Sequence, residues 1–217
     1  MSWFGKKKPY DRARIMAKAR RASRRGAHAK AVALYERVQA KEPGNVELLR
    51  RLARARLRAG QREQALRDCH VAARGLVERG FVAQAIGLYR EFARDMKREA
   101  SIWESLAELE LERKRAPDAV AVLVEGSRHF RSRARRADAL ALLRRARTID
   151  PTHFEAGFQL ADVAWRSGQV RPARRLLASL EPHARTRRDR LRLRARLFRL
   201  APTPAAAWRW LGAAFGT

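Results

Sequence analysis

The segment that decides the fold, residues 46–79, reads VELLRRLARARLRAGQREQALRDCHVAARGLVER. Its first half places Leu49, Leu52 and Ala53 at helical spacing. Gly60 then interrupts the pattern, and a second helical pattern follows around Ala65. Apolar residues three and four positions apart form one face of a helix, and glycine favours the turn between two helices. These 34 residues therefore predict a helix–turn–helix unit.

The same pattern recurs on both sides of this segment. An alanine marks the equivalent position of each copy, and these alanines are Ala31, Ala65, Ala85, Ala119, Ala139 and Ala173. Their spacings alternate between 34 and 20 residues, which gives a period of 54 residues with three helices. Residues 61–114 align with residues 115–168 in this register. Such a period indicates an array of stacked helical repeats.

The markers resemble those of the tetratricopeptide repeat, a helix–turn–helix unit with small residues where its two helices approach closely. Ala31, Tyr35 and Pro43 carry the resemblance in the first copy, and Trp103 and Leu106 carry it in a later one. The resemblance implies an all-α, right-handed α-solenoid of about twelve helices with a C-terminal capping helix pair. The three-helix period departs from the family's two-helix pattern. Which helices line the concave face after the second repeat therefore stays open.

The chain divides into three parts by its pattern. We expect a basic and aromatic tail over residues 1–11, helical repeats over 12–182, and an arginine-rich helix with a cap over 183–217. The predicted helices span 11–25, 27–41, 45–59, 61–78, 80–97, 99–113, 117–129, 132–149, 152–167, 169–181, 186–200 and 204–215. The run LRLRARL at 191–197 alternates as a strand would, but its leucines also fit helical spacing and its neighbours are helices.

The charge is large and unevenly distributed. The 217 residues carry a formal net charge of +28, and residues 1–60 and 131–217 each contribute +14 while residues 61–130 sum to zero. A compositional bias towards arginine would act along the whole chain, so it does not explain a neutral middle. The two basic ends favour an anionic partner, namely an acidic protein, a nucleic acid or an anionic membrane surface.

Enzyme signatures are absent from the sequence. It contains no phosphate-binding loop, no dinucleotide-binding glycine motif, no nucleophile elbow and no zinc-protease motif. The five histidines and Cys69 lack the spacing of metal ligands. We therefore expect a non-enzymatic protein with no cofactor, no metal and no small-molecule substrate. The single cysteine fits a reducing compartment, and no apolar run is long enough to span a membrane. These features predict a cytoplasmic protein.

The resemblance also implies a partner-binding groove. In tetratricopeptide repeats, set positions of the first helix of each unit face the groove that holds a partner's segment. In the first two copies these positions and their neighbours supply Arg20, Arg24, Arg50, Arg51, Arg54 and Arg58. Arginine binds carboxylates in a bidentate way, so this surface predicts an acidic or amphipathic partner segment. The asparagines of the family's clamp for a chaperone's C-terminal carboxylate are missing.

Two alternative surfaces follow from the ends of the chain. The segment 185–199 is the densest basic stretch, and its predicted polyanion contacts are Arg187, Arg188, Arg190, Arg192, Arg194 and Arg196. It lacks interleaved aromatic residues, so nucleic-acid binding there would be independent of sequence and sensitive to salt. At the N-terminus, two aromatic and three basic residues resemble an interfacial membrane anchor, and these are Trp3, Phe4, Lys6, Lys7 and Lys8.

The sequence therefore predicts an adaptor that docks an acidic or amphipathic partner segment on a basic groove. The first alternative is a nucleic-acid- or ribosome-associated basic protein, and the second is a peripheral membrane adaptor.

Overall fold

The computed structural model describes residues 10–200, and within this range the regular structure is helical, without a strand. Its α-helices are α1 (Arg12–Arg24), α2 (His28–Gln39), α3 (Val46–Arg58), α4 (Arg62–Val77), α5 (Val82–Asp95), α6 (Ala100–Glu112), α7 (Ala116–Ser127), α8 (Arg136–Ile149), α9 (Phe154–Arg166), α10 (Val170–Ser179) and α11 (Arg187–Leu200). Short 3₁₀ turns, Arg133–Arg135 and Glu181–His183, precede α8 and α11. The predicted all-α fold is confirmed. The predicted anchor at residues 3–8 and the twelfth helix at 204–215 lie outside the described residues.

The chain forms two compact units that divide between Tyr89 and Arg90, within α5. In the first unit, α1 packs on α2, α2 on α3, and α3 on α4. In the second unit, the helices from α6 to α11 pack in chain order, and α6 also contacts α8 while α7 contacts α9. Each unit is thus built from helices that pack mainly on their neighbours in sequence, as in a repeat protein.

The marker alanines are buried where helices approach one another. None of the six exposes more than 1% of its surface. Leu193 of α11 lies 20 residues after Ala173 and is likewise 1% exposed, so the alternation continues into this helix. Small residues at these sites let neighbouring helix backbones come close, which is why the period of the sequence reports the packing so directly.

The turns after α1, α3, α6 and α9 share one geometry. Each contains a residue in the left-handed region, and these residues are Gly26 (φ 75°), Gly60 (φ 81°), Lys114 (φ 58°) and Gly168 (φ 83°). The amide that follows donates back across the turn, as Gln61 N does to Arg56 O at 2.9 Å. This arrangement is a Schellman motif, in which glycine carries no steric cost. Lys114 is the one non-glycine residue at these four positions.

Candidate binding groove in the second unit

A groove with a basic rim lies in the second unit between α5, α6 and α7. Its inner half has a volume of about 500 Å³, and its walls include Leu106 of α6 and Val122 of α7. Arg90 and Arg94 of α5 line the same cavity, with Asp118 of α7 among the remaining residues. The inner half therefore joins an apolar floor to charges of both signs.

Trp103 is fixed in the floor of this groove by three contacts. Its indole Nε1 donates to the carbonyl of Lys97 at 2.9 Å. Its ring stacks on His129 with centroids 5.4 Å apart and an interplanar angle of 24°. The ring also lies against Gly126, where an added Cβ would come within 2.5 Å of the indole. Trp103 is 4% exposed and gives the groove a rigid wall.

The outer half of the groove is more strongly basic. It has a volume of about 550 Å³ and shares Lys97, Glu125 and His129 with the inner half, so the two halves are continuous. The remaining residues of the outer half come from two inter-helix segments, and they are Arg98, Arg128, Arg131, Ser132 and Arg135. Five cations thus line one cavity that contains a single acid, Glu125.

Some of the groove cations are held by acids of the same unit. Arg90 pairs with the fully buried Glu110 at 2.9 Å, and Arg128 lies 3.7 Å from Glu155. Arg135 pairs with Asp138 and also donates to the carbonyl of Arg98 at 2.7 Å. These contacts fix the rim of the groove and neutralise part of its charge.

The other groove cations have no such partner. Within residues 10–200, no acid forms an ion pair with Arg94, Lys97, Arg98 or Arg131. Arg131 uses its Nε to donate to the carbonyl of Arg128 at 3.1 Å, a bond that does not involve its terminal nitrogens. Unpaired cations around a cavity attract an anionic ligand.

His129 adds no charge to the groove at neutral pH. Burial, followed by the positive charge of Lys97, lowers the pKa of His129 below its ordinary value of 6.5. The imidazole is therefore neutral at pH 7. The positive potential of the groove comes from its lysine and arginine side chains.

The structure places the predicted groove arginines of the first unit on two helices. Arg50 and Arg51 of α3 both pair with Glu47, at 3.0 and 2.9 Å. Arg54 and Arg58 also make interactions within the chain, whereas Arg20 and Arg24 lie exposed on α1. The role predicted for these six residues as a partner-binding groove stays a prediction.

Two of the predicted polyanion contacts hold α11 on α9. Arg192 pairs with Glu155 at 2.9 Å, and its guanidinium lies 4.4 Å from the ring centre of Phe158. Arg196 pairs with Asp162 at 2.5 Å and lies 5.0 Å from the ring centre of Trp165. Pairing with an acid and stacking on an aromatic ring together favour a docked helix.

The pKa of Glu155 reflects this docking. Burial raises the pKa of the Glu155 carboxyl, but hydrogen bonds from Arg192 and Gln159 and the nearby positive charge outweigh burial and keep the pKa below its usual value. The carboxylate is therefore charged at neutral pH, as the pairing requires. Of the remaining α11 arginines, Arg190 donates to the carbonyls of Ala184 and Arg185, and Arg188 is exposed. Arg187 and Arg194 also make interactions within the chain.

Sequence reasoning missed the groove of the second unit. Residues 61–130 have a net charge of zero, so their summed charge gives no sign of a local basic cluster. The segment nevertheless contains basic residues at the end of α5 and after α7, namely Arg94, Lys97, Arg98 and Arg128. The basic residues at these helix ends could have indicated the groove, because the side chains of neighbouring turns lie close together. Among residues 10–200, no group of three His, Cys, Asp or Glu side chains is arranged to hold a metal ion. In the same range, no helix is long and apolar enough to cross a membrane.

The fold and the groove define an all-α helical-repeat protein with the fold of a protein–protein interaction scaffold. A family model described as tetratricopeptide repeat matches residues 22–67 and 130–197, which together exceed half of the chain. The chain belongs to the tetratricopeptide repeat family. Proteins built from this repeat are in general non-catalytic scaffolds that bind protein partners. No curated protein sequence matches the chain.

Solved structures of other repeat proteins are similar to the chain. They include PilW, a type IV pilus biogenesis factor, at 15% identity over 94% of each chain with a TM-score of 0.37. Another is a thermophilic repeat protein of Thermus thermophilus, at 17% identity over 94% of this chain and 99% of that chain, with a TM-score of 0.29. PilF of Pseudomonas aeruginosa shares 15% identity over 94% of this chain and 92% of that chain, with a TM-score of 0.32. These TM-scores are too low to support an argument about function.

Proposed function

We propose that this protein is a non-enzymatic adaptor that docks an acidic segment of a partner protein in the groove of the second unit. One observation carries the proposal: Arg94, Lys97, Arg98 and Arg131 line a continuous groove and have no acidic partner within residues 10–200. Cations without an intramolecular ion pair can bind an external anion, and Trp103 supplies a rigid floor beside them.

Carboxylates of a partner segment would form charge-assisted hydrogen bonds with these side chains. Such bonds are about twice as strong as neutral ones, and arginine adds geometric specificity. The rim is open to water, so binding would weaken with added salt. Complementary charge would mainly accelerate association and select against basic partners. These are the properties of an adaptor that exchanges partners.

The test uses a fluorescein-labelled decaglutamate peptide and fluorescence anisotropy near physiological ionic strength. We expect the triple variant Arg94→Glu, Lys97→Glu, Arg98→Glu to weaken binding by about a hundredfold, since charges of opposite sign replace three contacts. The matched control is Arg171→Glu, Arg174→Glu, Arg175→Glu, which makes the same charge change at exposed sites of α10 outside the groove. Equal weakening by both variants would show that only net charge matters, and would contradict the proposal.

The same assay tests whether the predicted groove of the first unit is the docking site instead. The double variant Arg20→Glu, Arg24→Glu changes two exposed residues of α1 and leaves the second unit intact. Loss of binding in this variant, with full binding in the triple variant of the second unit, would move the docking site to the first unit.

Nucleic-acid binding is the second candidate function. The observation that favours it is the exposure of Arg185 before α11 and of Arg188 in its first turn, in a chain with a net charge of +28. A labelled single-stranded oligonucleotide replaces the peptide in the same assay. Tighter binding of the oligonucleotide, with a steep dependence on salt that Arg185→Gln, Arg188→Gln reduces, would favour this candidate. Membrane contact through residues 3–8 stays a prediction.

A further inference from the structure

We propose that the outer half of the groove binds a phosphate monoester, so that the partner segment docks in a phosphorylated form. This inference rests on the proposed function, because it concerns the chemistry of the segment that the same groove takes. It assigns the inner half to the flanking part of that segment and the outer half to one compact, multiply charged group.

The arrangement of the cations distinguishes the two halves. Lys97 and Arg98 reach the outer cavity from the connection between α5 and α6. Arg128, Arg131 and Arg135 reach it from the connection between α7 and α8. Five cations from two connections thus line one cavity of about 550 Å³, so several of them are available to the same multiply charged anion. Carboxylates spaced along an extended peptide would instead match cations spread along a stripe.

The outer half also offers many hydrogen-bond donors to one anion. A carboxylate carries one charge on two oxygens, whereas a phosphate monoester carries about −1.5 to −2 on three acceptor oxygens near pH 7. Arg98 has no ion pair within residues 10–200, and the terminal nitrogens of Arg131 are not used in its bond to Arg128. The exposed hydroxyl of Ser132 lies on the same wall. This set of donors exceeds what one carboxylate can accept.

The inner half of the groove differs from the outer half in its charges. There, Arg90 is held by Glu110, and Asp118 adds a negative charge to the wall. The outer half has Glu125 as its one acid, and Glu125 lies at the junction that both halves share. The excess of positive charge is therefore larger in the outer half, with five cations against one acid compared with three against two in the inner half, and a dianion would be stabilised most there.

The experiment compares two labelled peptides, decaglutamate and the same peptide with one central phosphoserine. The exchange adds at most about one charge to ten, so a non-specific polycation would bind both almost equally. We expect the phosphopeptide to bind about tenfold more tightly, through charge-assisted hydrogen bonds to the outer cavity. Inorganic phosphate, compared with chloride at constant ionic strength, should displace the phosphopeptide.

The double variant Arg98→Gln, Arg131→Gln should weaken binding of both peptides, because both residues line the docking groove, and should also abolish the tenfold preference for the phosphopeptide, so that the two peptides bind about equally. Both residues are exposed, so the change leaves the core intact. The matched control, Arg174→Gln, Arg175→Gln, should keep the full preference. A preference that survives Arg98→Gln, Arg131→Gln would overturn the assignment of the site.

The failures of the two proposals are distinguishable. Equal binding of both peptides by the unaltered protein would overturn the phosphate site and leave the acidic-segment adaptor standing. Binding of neither peptide would overturn the proposed function and this inference together. Binding of inorganic phosphate without either peptide, lost in Arg98→Gln, Arg131→Gln, would also overturn both proposals, because the anion would then bind without a partner segment.

Discussion

An ion pair in each unit occupies the same positions of the 54-residue period, with its charges reversed. In the first unit, Glu36 of α2 accepts from Arg56 of α3 at 2.8 Å. In the second unit, Arg90 of α5 donates to Glu110 of α6 at 2.9 Å. Residues 90 and 110 each lie 54 positions after residues 36 and 56. The repeat therefore fixes where two charged groups meet and leaves their signs open, because attraction is the same in either order.

The more buried residue of the pair is a cation in the first unit and an anion in the second. Arg56 also binds Asp68 of α4 at 2.5 Å, so a mostly buried cation lies between two acids. Glu110 exposes none of its surface, and its second neighbour is Arg113, the residue directly after α6, at 3.7 Å. The third copy has Ala164 at this position of α9, and no pair is possible there. Each unit thus depends on one particular counter-charge.

The largest expected effect comes from reversing the buried charge of the second unit. Glu110→Arg places a guanidinium beside Arg90 and Arg113 and leaves it without a counter-charge. We expect a loss of about 4 kcal/mol in the free energy of unfolding, measured in urea.

The charge-swapped variant Arg90→Glu, Glu110→Arg tests the comparison directly. It gives the second unit the polarity of the first and should recover more than half of the loss, with Arg113 preventing full recovery. A double variant as unstable as Glu110→Arg alone would show that the position in the repeat does not accept either sign.

A slightly smaller effect is expected in the first unit. Arg56→Met keeps the bulk of the side chain but leaves the carboxylate of Asp68, which is largely buried, without its partner. The expected loss is about 3 kcal/mol. Hydrogen exchange should show it as faster exchange in α3 and α4. The control Arg51→Met removes a more exposed pair with Glu47 and should cost about 0.5 kcal/mol or less.

A gain is expected at a turn that differs between the units. Gly60 and Lys114 occupy equivalent left-handed positions after α3 and α6, with φ of 81° and 58°. Lys114→Gly relieves the contact between Cβ and the backbone and should raise the free energy of unfolding by about 0.5–1 kcal/mol. Gly60→Lys should lower it by a similar amount. A loss of stability in Lys114→Gly would show that the lysine side chain contributes more than its backbone strain costs.

The smallest effect concerns pH in the first unit. Burial, followed by the charge of Arg74, lowers the pKa of His70, whose Nδ1 lies 2.9 Å from the hydroxyl of Tyr89. Between the native pKa and the unfolded value of about 6.5, the unfolded chain binds more protons. Stability should therefore fall as the pH decreases through about 6.5 and level off below the native pKa.

His70→Gln should reduce this pH dependence, measured as the change in the unfolding midpoint between about pH 7.5 and pH 5.5. Tyr89→Phe removes the hydroxyl partner but keeps the titrating group, so it should retain the dependence. An unchanged slope in His70→Gln would assign the pH dependence to another group.

Much of the local structure was predictable from the sequence. Each predicted helix within residues 10–200 corresponds to an observed α-helix, and the first, predicted over 11–25, is Arg12–Arg24. The period of the buried alanines indicates the helices because close packing tolerates only small residues there. The largest difference is at α8, predicted from residue 132 but observed from Arg136, because residues 133–135 form a 3₁₀ turn.

The candidate site was far less predictable. Its cations lie at helix ends and in connections, and only the packing shows that Lys97 and Arg131, 34 positions apart in the sequence, line the same cavity. The docking of α11 was not predictable either. In the sequence, Arg192 and Arg196 have the pattern of exposed cations, and only the structure shows that they contact Phe158 and Asp162. Only the packing decides which arginines are paired within the chain.

The sequence by itself determined the helices, their turns and the 54-residue period, because these depend on residues a few positions apart and on small residues at fixed spacing. The tertiary structure alone decided which charges meet. Coulomb attraction depends on distances between atoms of different helices, and a sum of charges along the chain contains no such distance. For that reason three of the five cations of the outer cavity, Lys97, Arg98 and Arg128, come from a segment with no net charge, whereas two of the arginines in the densest basic stretch are paired with acids of their own chain.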